Sequence, residues 1–191
     1  MPRAGLTTDK VARAGADLAD EIGFEAVTVS AIARSFDVKV ASLYSHIGGS
    51  DDLRQRIAVI ALADIADRLE TALAGASGQG ALAAFGAVHR DYAAAHPGRY
   101  DAARHPLPAE VATASAGPRI ADLMRSALLD YDLSEPDLTH AVRMLGSLVH
   151  GFVDLERSSA FSHSRPASST SWARMFEGLD TLLTGWAHTS H

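Results

Sequence analysis

Residues 29–48 read VSAIARSFDVKVASLYSHIG and predict two short helices joined by a tight turn. Apolar side chains recur there at three- and four-residue spacing, which is the pattern of one buried helix face. The small residue Ala33 stands where the two helices would cross closely, and Val38 and Leu43 would hold the second helix on the core. Asp37 occupies the turn position that needs a left-handed backbone, which Asp tolerates better than most residues. Together these positions predict a helix-turn-helix, a motif whose second helix enters the major groove of DNA.

The rest of the chain also reads as helix. Amphipathic periodicity predicts a helix over 8–22 before the motif and a long helix over 50–74 after it. A helix is predicted over 81–95, and two further long helices are predicted near the end of the chain, over 134–157 and 171–187. Sustained alternation of apolar and polar residues, the pattern of a half-buried strand, is not found. The sequence therefore predicts an all-α fold, in which an N-terminal three-helix head is joined by a long helix to a larger helical region.

Composition narrows the possible classes of function. The 191 residues include 17 Lys+Arg and 23 Asp+Glu, so any contact with nucleic acid would come from a local basic patch. The chain has no cysteine, which excludes disulfides, thiolate metal sites and a cysteine nucleophile. The residues after Met1 lack the apolar core of a signal peptide, and no apolar stretch is long enough to span a membrane. We expect a cytoplasmic protein without a membrane partner.

The second helix of the motif, predicted over 40–46, carries groups on its exposed side that suit contact with DNA. Small side chains would let this helix lie deep in a major groove. Lys39 and Ser42 can reach base edges or phosphates, while Val40 and Ala41 can touch a thymine methyl group. A plain three-helix bundle with a solvated Lys39 is the alternative, and the flanking sequence decides between the two. Three further side chains can donate hydrogen bonds to phosphates, namely Thr28, Tyr44 and His46.

Residues 8–53 resemble the DNA-binding domain of the TetR family of bacterial transcriptional repressors. The stretches that carry the resemblance are Gly23-Phe24, Val27-Thr28-Val29, Ile32-Ala33, Val38, Leu43-Tyr44, His46 and Leu53. The resemblance implies a homodimer that binds a palindromic operator in double-stranded DNA and is released by a small-molecule effector. Asp37, Lys39 and Ser50 depart from the family pattern, which usually has Gly, then Ser or Thr, then Lys at these positions. With so few basic groups, we predict modest affinity and a shallow salt dependence.

The C-terminal sequence carries a second, shorter resemblance. Residues 148–156 resemble a TetR-family regulatory domain that is marked by Trp, three residues and then His-Gly. His150-Gly151 supplies the pair, whereas Gly146 stands at the tryptophan position and would enlarge a pocket or let another helix approach. The resemblance implies that helices 134–157 and 171–187 pair with their copies in a second subunit as a four-helix bundle. We therefore predict a helix-turn-helix DNA-binding domain over 1–48 and a ligand-binding and dimerisation domain over 49–191.

A small-molecule pocket is expected between the central helices, where apolar walls meet a few polar groups. His89 and Tyr92 lie one turn apart and can face the same cavity. For each large side chain an ordinary core or surface position is the alternative, and His150 fits a satisfied core histidine equally well. The candidates for the pocket are Phe85, His89, Tyr92, Tyr100, Met124, Leu128 and His150.

No motif in the sequence points to catalysis or to a cofactor. A Gly-rich phosphate loop, a serine nucleophile motif and paired catalytic carboxylates are not found, and no His-x-x-x-His pair lies on one predicted helix. We therefore expect no catalytic residues, no metal and no cofactor. Two other functions stay open. One is a helical small-molecule-binding protein that has lost DNA binding, which Asp37, Ser50 and the acidic head motivate; the other is a helical enzyme with His89 or His150 as general base.

Overall fold

The computed structural model describes residues 5–189, with side chains described as far as Trp186. The ends of the two predicted domains, residues 1–4 and 190–191, lie outside the described residues. Every regular element in the described residues is helical, which confirms the predicted all-α fold. None of these helices has the length and apolar character needed to cross a membrane. The α-helices are α1 (Thr8–Ile22), α2 (Val29–Ser35), α3 (Val40–Leu43), α4 (Ser50–Leu73), α5 (Gly78–Ala95), α6 (Pro97–Ala102), α7 (Ala109–Ala114), α8 (Gly117–Ser126), α9 (Glu135–Arg157) and α10 (Ser168–Thr189), with short 3-10 helices at Phe24–Ala26 and Leu129–Tyr131.

The helices form two compact units. The first unit contains the chain up to Asp64 together with Tyr92–Pro118, and the second contains Ile65–Asp91 together with the chain from Arg119 onward. α4 and α5 therefore each contribute residues to both units. The boundary predicted after residue 48 does not coincide with this division into compact units, and the two predicted domains stay a prediction.

Local sequence sets where the helices of the head begin and end. The Thr7 hydroxyl accepts a hydrogen bond from the Lys10 N–H, and the Thr28 hydroxyl accepts one from the Ala31 N–H at 3.1 Å. Both bonds satisfy N–H groups that a helix start leaves unpaired. Gly23 ends α1 with φ 87°, a conformation that other residues rarely adopt. The apolar faces of α1 to α4 then meet in one core, which includes Val11, Ile32, Leu43, Ile47 and Leu53.

In the first unit, α6 packs against the end of α1 without room for a side chain between them. A Cβ on Gly98 would overlap the Ala19 carbonyl group and lie 2.7 Å from the Asp20 nitrogen. The Asp20 carboxylate accepts a hydrogen bond from the Arg99 N–H at 2.9 Å, and its other oxygen lies 2.9 Å from His96 Nδ1. The contact therefore combines close backbone packing with a charged cluster.

Aromatic side chains fill the second unit. A Cβ on Gly86 of α5 would overlap the Phe176 ring and lie 2.9 Å from Trp172, and both rings belong to α10. Trp172 and Phe176 meet edge to face with their centroids 5.1 Å apart. Arg90 lies over the Trp172 ring at 5.2 Å and donates two hydrogen bonds to Glu156, at 2.7 and 2.6 Å. Rings and a bidentate ion pair therefore connect α5, α9 and α10 in this unit.

Three predicted helix boundaries are wrong. α3 ends at Leu43 rather than His46, because the N–H groups of His46 and Ile47 both bond to the Leu43 carbonyl, at 2.8 and 3.0 Å, and tighten the chain into a turn. α5 begins at Gly78, where residue 81 was expected, since the Asp130 carboxylate accepts the Gly78 N–H at 2.6 Å and so stabilises an earlier start. α10 begins three residues before the predicted position, which shortens the preceding loop.

Candidate nucleic-acid interface and effector site

The backbone between α2 and α3 confirms the helix-turn-helix. Asp37 has φ 53°, within the left-handed region that the sequence pattern requires of it. The Val38 N–H donates to the Ala33 carbonyl at 3.0 Å across the turn. Leu43 is fully buried in the core of the head. These contacts fix the orientation of α3, so that its opposite side faces solvent.

Most of the predicted DNA-contacting residues are exposed. Tyr44 leaves 57% of its surface accessible, although large aromatic side chains usually lie inside a protein. The Lys39 ammonium has no hydrogen-bond or ion-pair partner among the described residues. Val40 and His46 are half-buried, and Val40 packs partly against the head core. The exposed members of the set are Thr28, Lys39, Ala41, Ser42 and Tyr44.

Two side chains hold the recognition segment, which we define as residues 39–48. The Thr8 hydroxyl donates to the His46 carbonyl at 2.9 Å, and the Gly48 N–H donates to the Asp52 carboxylate at 2.8 Å. Arg56 pairs with the same carboxylate at 2.9 Å. Burial acts to raise the pKa of Asp52, but hydrogen bonds from Arg56 and Gly48 outweigh it and hold the pKa below its usual value. Asp52 is therefore charged at neutral pH and keeps both bonds.

Sequence reasoning missed the contacts that Thr8 and Asp52 make with the recognition segment. Thr7 and Thr8 both suit the N-cap of α1, and the structure gives that role to Thr7. Asp52 reads only as an acid in the first turn of α4, where the helix dipole favours it. The i, i+4 spacing of Asp52 and Arg56 is a signal for their ion pair. The bonds from Thr8 and Asp52 to the recognition segment have no comparable local signal.

Several cations of the head are already paired. Arg54 lies 3.3 Å from Glu25, and Arg13 lies 3.0 Å from Asp9. Neutralising phosphates with these side chains would require their present ion pairs to loosen. The shallow salt dependence expected from the sequence is in keeping with this arrangement and stays a prediction.

In the second unit, three predicted pocket residues lie in ring contact. The rings of Phe85 and His89 are 4.5 Å apart, and those of His89 and His150 meet edge to face at 5.2 Å. His89 is only 3% exposed, and burial lowers its pKa to about 4 despite an opposing hydrogen bond to Phe85. Its Nδ1 lies 2.9 Å from the Phe85 carbonyl oxygen, which can only accept. The neutral ring therefore holds its proton on Nδ1 and presents Nε2 as an acceptor.

Met124 lies beside the face of α9 that carries Gly146 and His150. A Cβ on Gly146 would lie 3.7 Å from Met124 Cε and would meet no other atom of the described residues within 4 Å, so no described helix backbone crosses closely there. Gly146 and His150 are one turn apart and share a helix face. The space beside Gly146 is thus bounded by a flexible thioether. The other predicted pocket residues are fully buried, with Leu128 in the second unit and Tyr92 and Tyr100 in the first.

Known proteins match the chain along most of its length. A family model described as bacterial regulatory proteins, tetR family, matches residues 6–57, and one described as tetracyclin repressor-like, C-terminal domain, matches residues 82–179. The uncharacterized HTH-type transcriptional regulator YobS of Bacillus subtilis is 32% identical over 161 residues, which cover 84% of each chain. The uncharacterized HTH-type regulator Rv0681 of Mycobacterium tuberculosis is 31% identical over 155 residues, 80% of this chain and 71% of that one. A TetR variant of Acinetobacter baumannii solved with minocycline has a TM-score of 0.68 at 18% identity and covers 98% of this chain and 99% of that chain.

The turn geometry, the exposed side of α3 and the matches to regulators define a transcriptional regulator with a helix-turn-helix DNA-binding head. The chain belongs to the TetR family. This result confirms the resemblance that residues 8–53 carry. The likeness to the minocycline complex, at 18% identity, extends the shared fold to nearly the whole chain.

Proposed function

We propose that this protein is a ligand-responsive repressor that binds a palindromic operator as a dimer and releases it when a small molecule binds. The observation that carries the proposal is the recognition segment, which follows the left-handed turn at Asp37 and presents an exposed, unpaired Lys39 and an exposed Tyr44. A cation and an aromatic hydroxyl on a surface of small side chains can reach the phosphates and base edges of a DNA groove.

Each subunit would place α3 in a major groove. Lys39 and Ser42 would reach base edges or phosphates, and Ala41 would pack against a thymine methyl group. The Thr28 hydroxyl already accepts the Ala31 N–H, and its own proton would be donated to a phosphate. The two half-sites would then lie roughly 34–36 Å apart, or a multiple of that distance.

Dimerisation would use α9 and α10. Leu155 on α9 exposes 49% of its surface and Leu182 on α10 exposes 43%, and large apolar side chains exposed on neighbouring elements favour a buried interface. Glutamate at both positions would produce monomers in sedimentation experiments and would abolish tight operator binding. A variant that remains dimeric would contradict this assignment.

The effector would bind in the second unit beside His89, Met124 and His150. Nε2 of the neutral His89 would accept a hydrogen bond from a hydroxyl or amide of the effector, and Met124 would adjust to its apolar body. The minocycline complex of the TetR variant from Acinetobacter baumannii is one case of a small molecule held by this fold. We expect effector binding to lower operator affinity by about 5–150-fold, the usual range of allosteric coupling.

The decisive experiment titrates the full-length protein onto labelled DNA from directly upstream of its own gene, and onto a scrambled copy, at several salt concentrations. We expect specific binding that weakens with salt. Lys39→Ala and Tyr44→Ala should each weaken it at least about fivefold without lowering the melting temperature, because both side chains are exposed. Arg13→Ala removes a charge that is already paired with Asp9 and serves as the control. Binding that is unchanged in both variants would show that α3 does not contact the DNA.

A second candidate is a small-molecule-binding protein that no longer binds DNA. Exposed carboxylates at Asp37 and Asp51 flank the recognition segment and favour this alternative, because they repel phosphates. It predicts no salt-dependent affinity for any duplex, together with thermal stabilisation by the effector. The same titration, followed by a thermal-shift screen, separates the two functions.

A further inference from the structure

A cavity in the first unit lies between α1, α4 and α7. Its volume is about 480 Å³, which falls in the range of roughly 300–1,000 Å³ that small-molecule sites occupy. Ala12, Val59, Ile60 and Val111 supply apolar walls. Its lining shares no residue with the His89 cluster, which belongs to the second unit. The cavity has the size and character of a ligand site and has no role in the function proposed above.

The polar groups of the cavity indicate what kind of ligand it would hold. Asp52 is paired with Arg56 at 2.9 Å, and Asp9 is paired with Arg13 at 3.0 Å. The Gln55 side-chain amide lines the cavity and has no hydrogen-bond partner among the described residues. The charges at this site are balanced within the chain, so an ionic ligand would gain little. One amide stays available to donate and to accept a hydrogen bond.

Two of the lining residues are the ones that hold the recognition segment. Thr8 donates to the His46 carbonyl at 2.9 Å, and Asp52 accepts the Gly48 N–H at 2.8 Å. A molecule in the cavity therefore touches the partners of the segment that follows α3. Any shift of either side chain would change the backbone between α3 and α4.

We propose that this cavity binds an uncharged, mainly apolar small molecule with one carbonyl, hydroxyl or N–H group that pairs with Gln55. Its binding displaces Thr8 and Asp52 from their bonds to the recognition segment and so weakens DNA binding. The regulatory half of this proposal rests on the proposed function, whereas ligand binding in the cavity does not. The cavity is thus a second regulatory site, and it lies in the unit that contains the recognition segment.

The binding half is tested with N-phenyl-1-naphthylamine, an uncharged dye that fluoresces in apolar sites and has one N–H group. Val111→Phe should place a ring in the cavity, narrow it and lower dye affinity at least tenfold. Ala109→Phe adds a phenyl group to the same helix at an exposed position that does not line the cavity, and should leave affinity unchanged. No residue of α7 is buried, so both variants should fold like the parent protein, which circular dichroism will check.

Gln55→Leu tests the predicted hydrogen bond separately. Loss of one neutral hydrogen bond should weaken the dye about fivefold. Dye binding that is absent from the parent protein, or equal in the parent and in Val111→Phe, would overturn the site.

The regulatory half is tested by titrating the dye into the preformed complex with operator DNA. We expect release of DNA from the parent protein and from Ala109→Phe, and no release from Val111→Phe. Dye binding that leaves the DNA complex intact would overturn the regulatory role while retaining the site. A parent protein that binds no DNA would contradict the proposed function, and the dye titration would still decide whether the cavity binds ligand.

Discussion

Each compact unit contains a glycine at which two helices pack too closely for a side chain, but the groups that face the glycine differ. In the first unit Gly98 of α6 faces the backbone of Ala19 and Asp20. In the second unit Gly86 of α5 faces the rings of Phe176 and Trp172. Helix backbone cannot move without carrying the helix with it, whereas a ring can rotate or be replaced by a smaller side chain. The same residue type should therefore be irreplaceable in one unit and replaceable, with compensation, in the other.

The largest expected effect comes from Gly98→Val. Because the added atoms would overlap the Ala19 carbonyl group, α6 must leave α1, and we expect a loss of about 4 kcal/mol or more in the free energy of unfolding. Urea denaturation at pH 7 measures the loss. Gly80→Ala is the control, since a Cβ there meets nothing within 4 Å and should stabilise α5 by about 0.5–1 kcal/mol. Near-native stability of Gly98→Val would show that the α1–α6 contact can relax.

The two units also differ in the surroundings of one histidine in each. His96 in the first unit is partly exposed and lies beside the Asp20 carboxylate, whereas His89 in the second unit is buried among rings. Burial holds the pKa of His89 near 4, compared with an ordinary value of 6.5. Above pH 6.5 the ring is neutral in both the folded and unfolded states. As the pH falls below 6.5, His89 becomes protonated in the unfolded state but stays neutral in the folded state, so the free energy of unfolding falls.

This difference predicts a specific acid sensitivity. Between pH 7 and pH 4.5 the parent protein should lose about 2–3 kcal/mol through His89, and His89→Gln should remove that part of the loss. Urea titrations at the two pH values measure both. His140→Gln changes an exposed histidine on α9 and serves as the control for general effects of acid. An acid loss of the same size in the parent and in His89→Gln would place the protonation elsewhere.

The helix-turn-helix could be predicted from the sequence because its determinants are local. The left-handed turn at Asp37, the small residue Ala33 and the apolar positions all fall within twenty consecutive residues, and helix periodicity then fixes which side of α3 is exposed. The positions of Lys39 and Tyr44 follow directly. The contacts of Thr8 and Asp52 with this segment could not be predicted, because they join it to the start of α1 and to α4.

The arrangement of the proposed effector site could be predicted only in part, because it depends on packing between distant helices, and its role stays a prediction. Phe85 and His89 are one turn apart, so their contact has a local signal. The contact of His89 with His150 joins α5 to α9, and no periodicity predicts it. Size and polarity alone also selected Tyr92 and Tyr100, which the structure places in the core of the other unit.

Gly86→Ala tests whether the second unit accommodates a larger residue. The added methyl group would press on Phe176 and Trp172, and we expect a loss of about 1–3 kcal/mol, as for an overpacked core. Phe176→Leu replaces one of these rings with a smaller aliphatic side chain and should recover part of the loss. Urea denaturation of the parent, both single variants and the double variant gives the coupling energy, which we expect to be about 1 kcal/mol. Additive losses would mean that the ring does not yield, and the contrast with Gly98 would disappear.

The smallest effect is expected from the ion pair of the second unit. Arg90 donates twice to Glu156, and Ser168 donates to the same carboxylate at 2.6 Å. The hydrogen bonds from Arg90 are the main cause that holds the pKa of Glu156 below its usual value, and they outweigh the opposing effect of burial. The stabilisation is therefore present above the ordinary carboxylate pKa and is lost as the pH falls through the lower, folded value.

Glu156→Gln should accordingly cost about 1 kcal/mol at pH 7, since a quarter of each partner's side chain is exposed and solvent weakens the pair. The difference from the parent protein should shrink as the pH falls and Glu156 itself becomes protonated. Glu21→Gln, at an exposed position on α1, should cost nothing measurable. A cost that is the same at every pH would mean that the charge of Glu156 is not the source of the stabilisation. Charge would then matter less to the packing of the second unit than it does to the charged α1–α6 contact of the first.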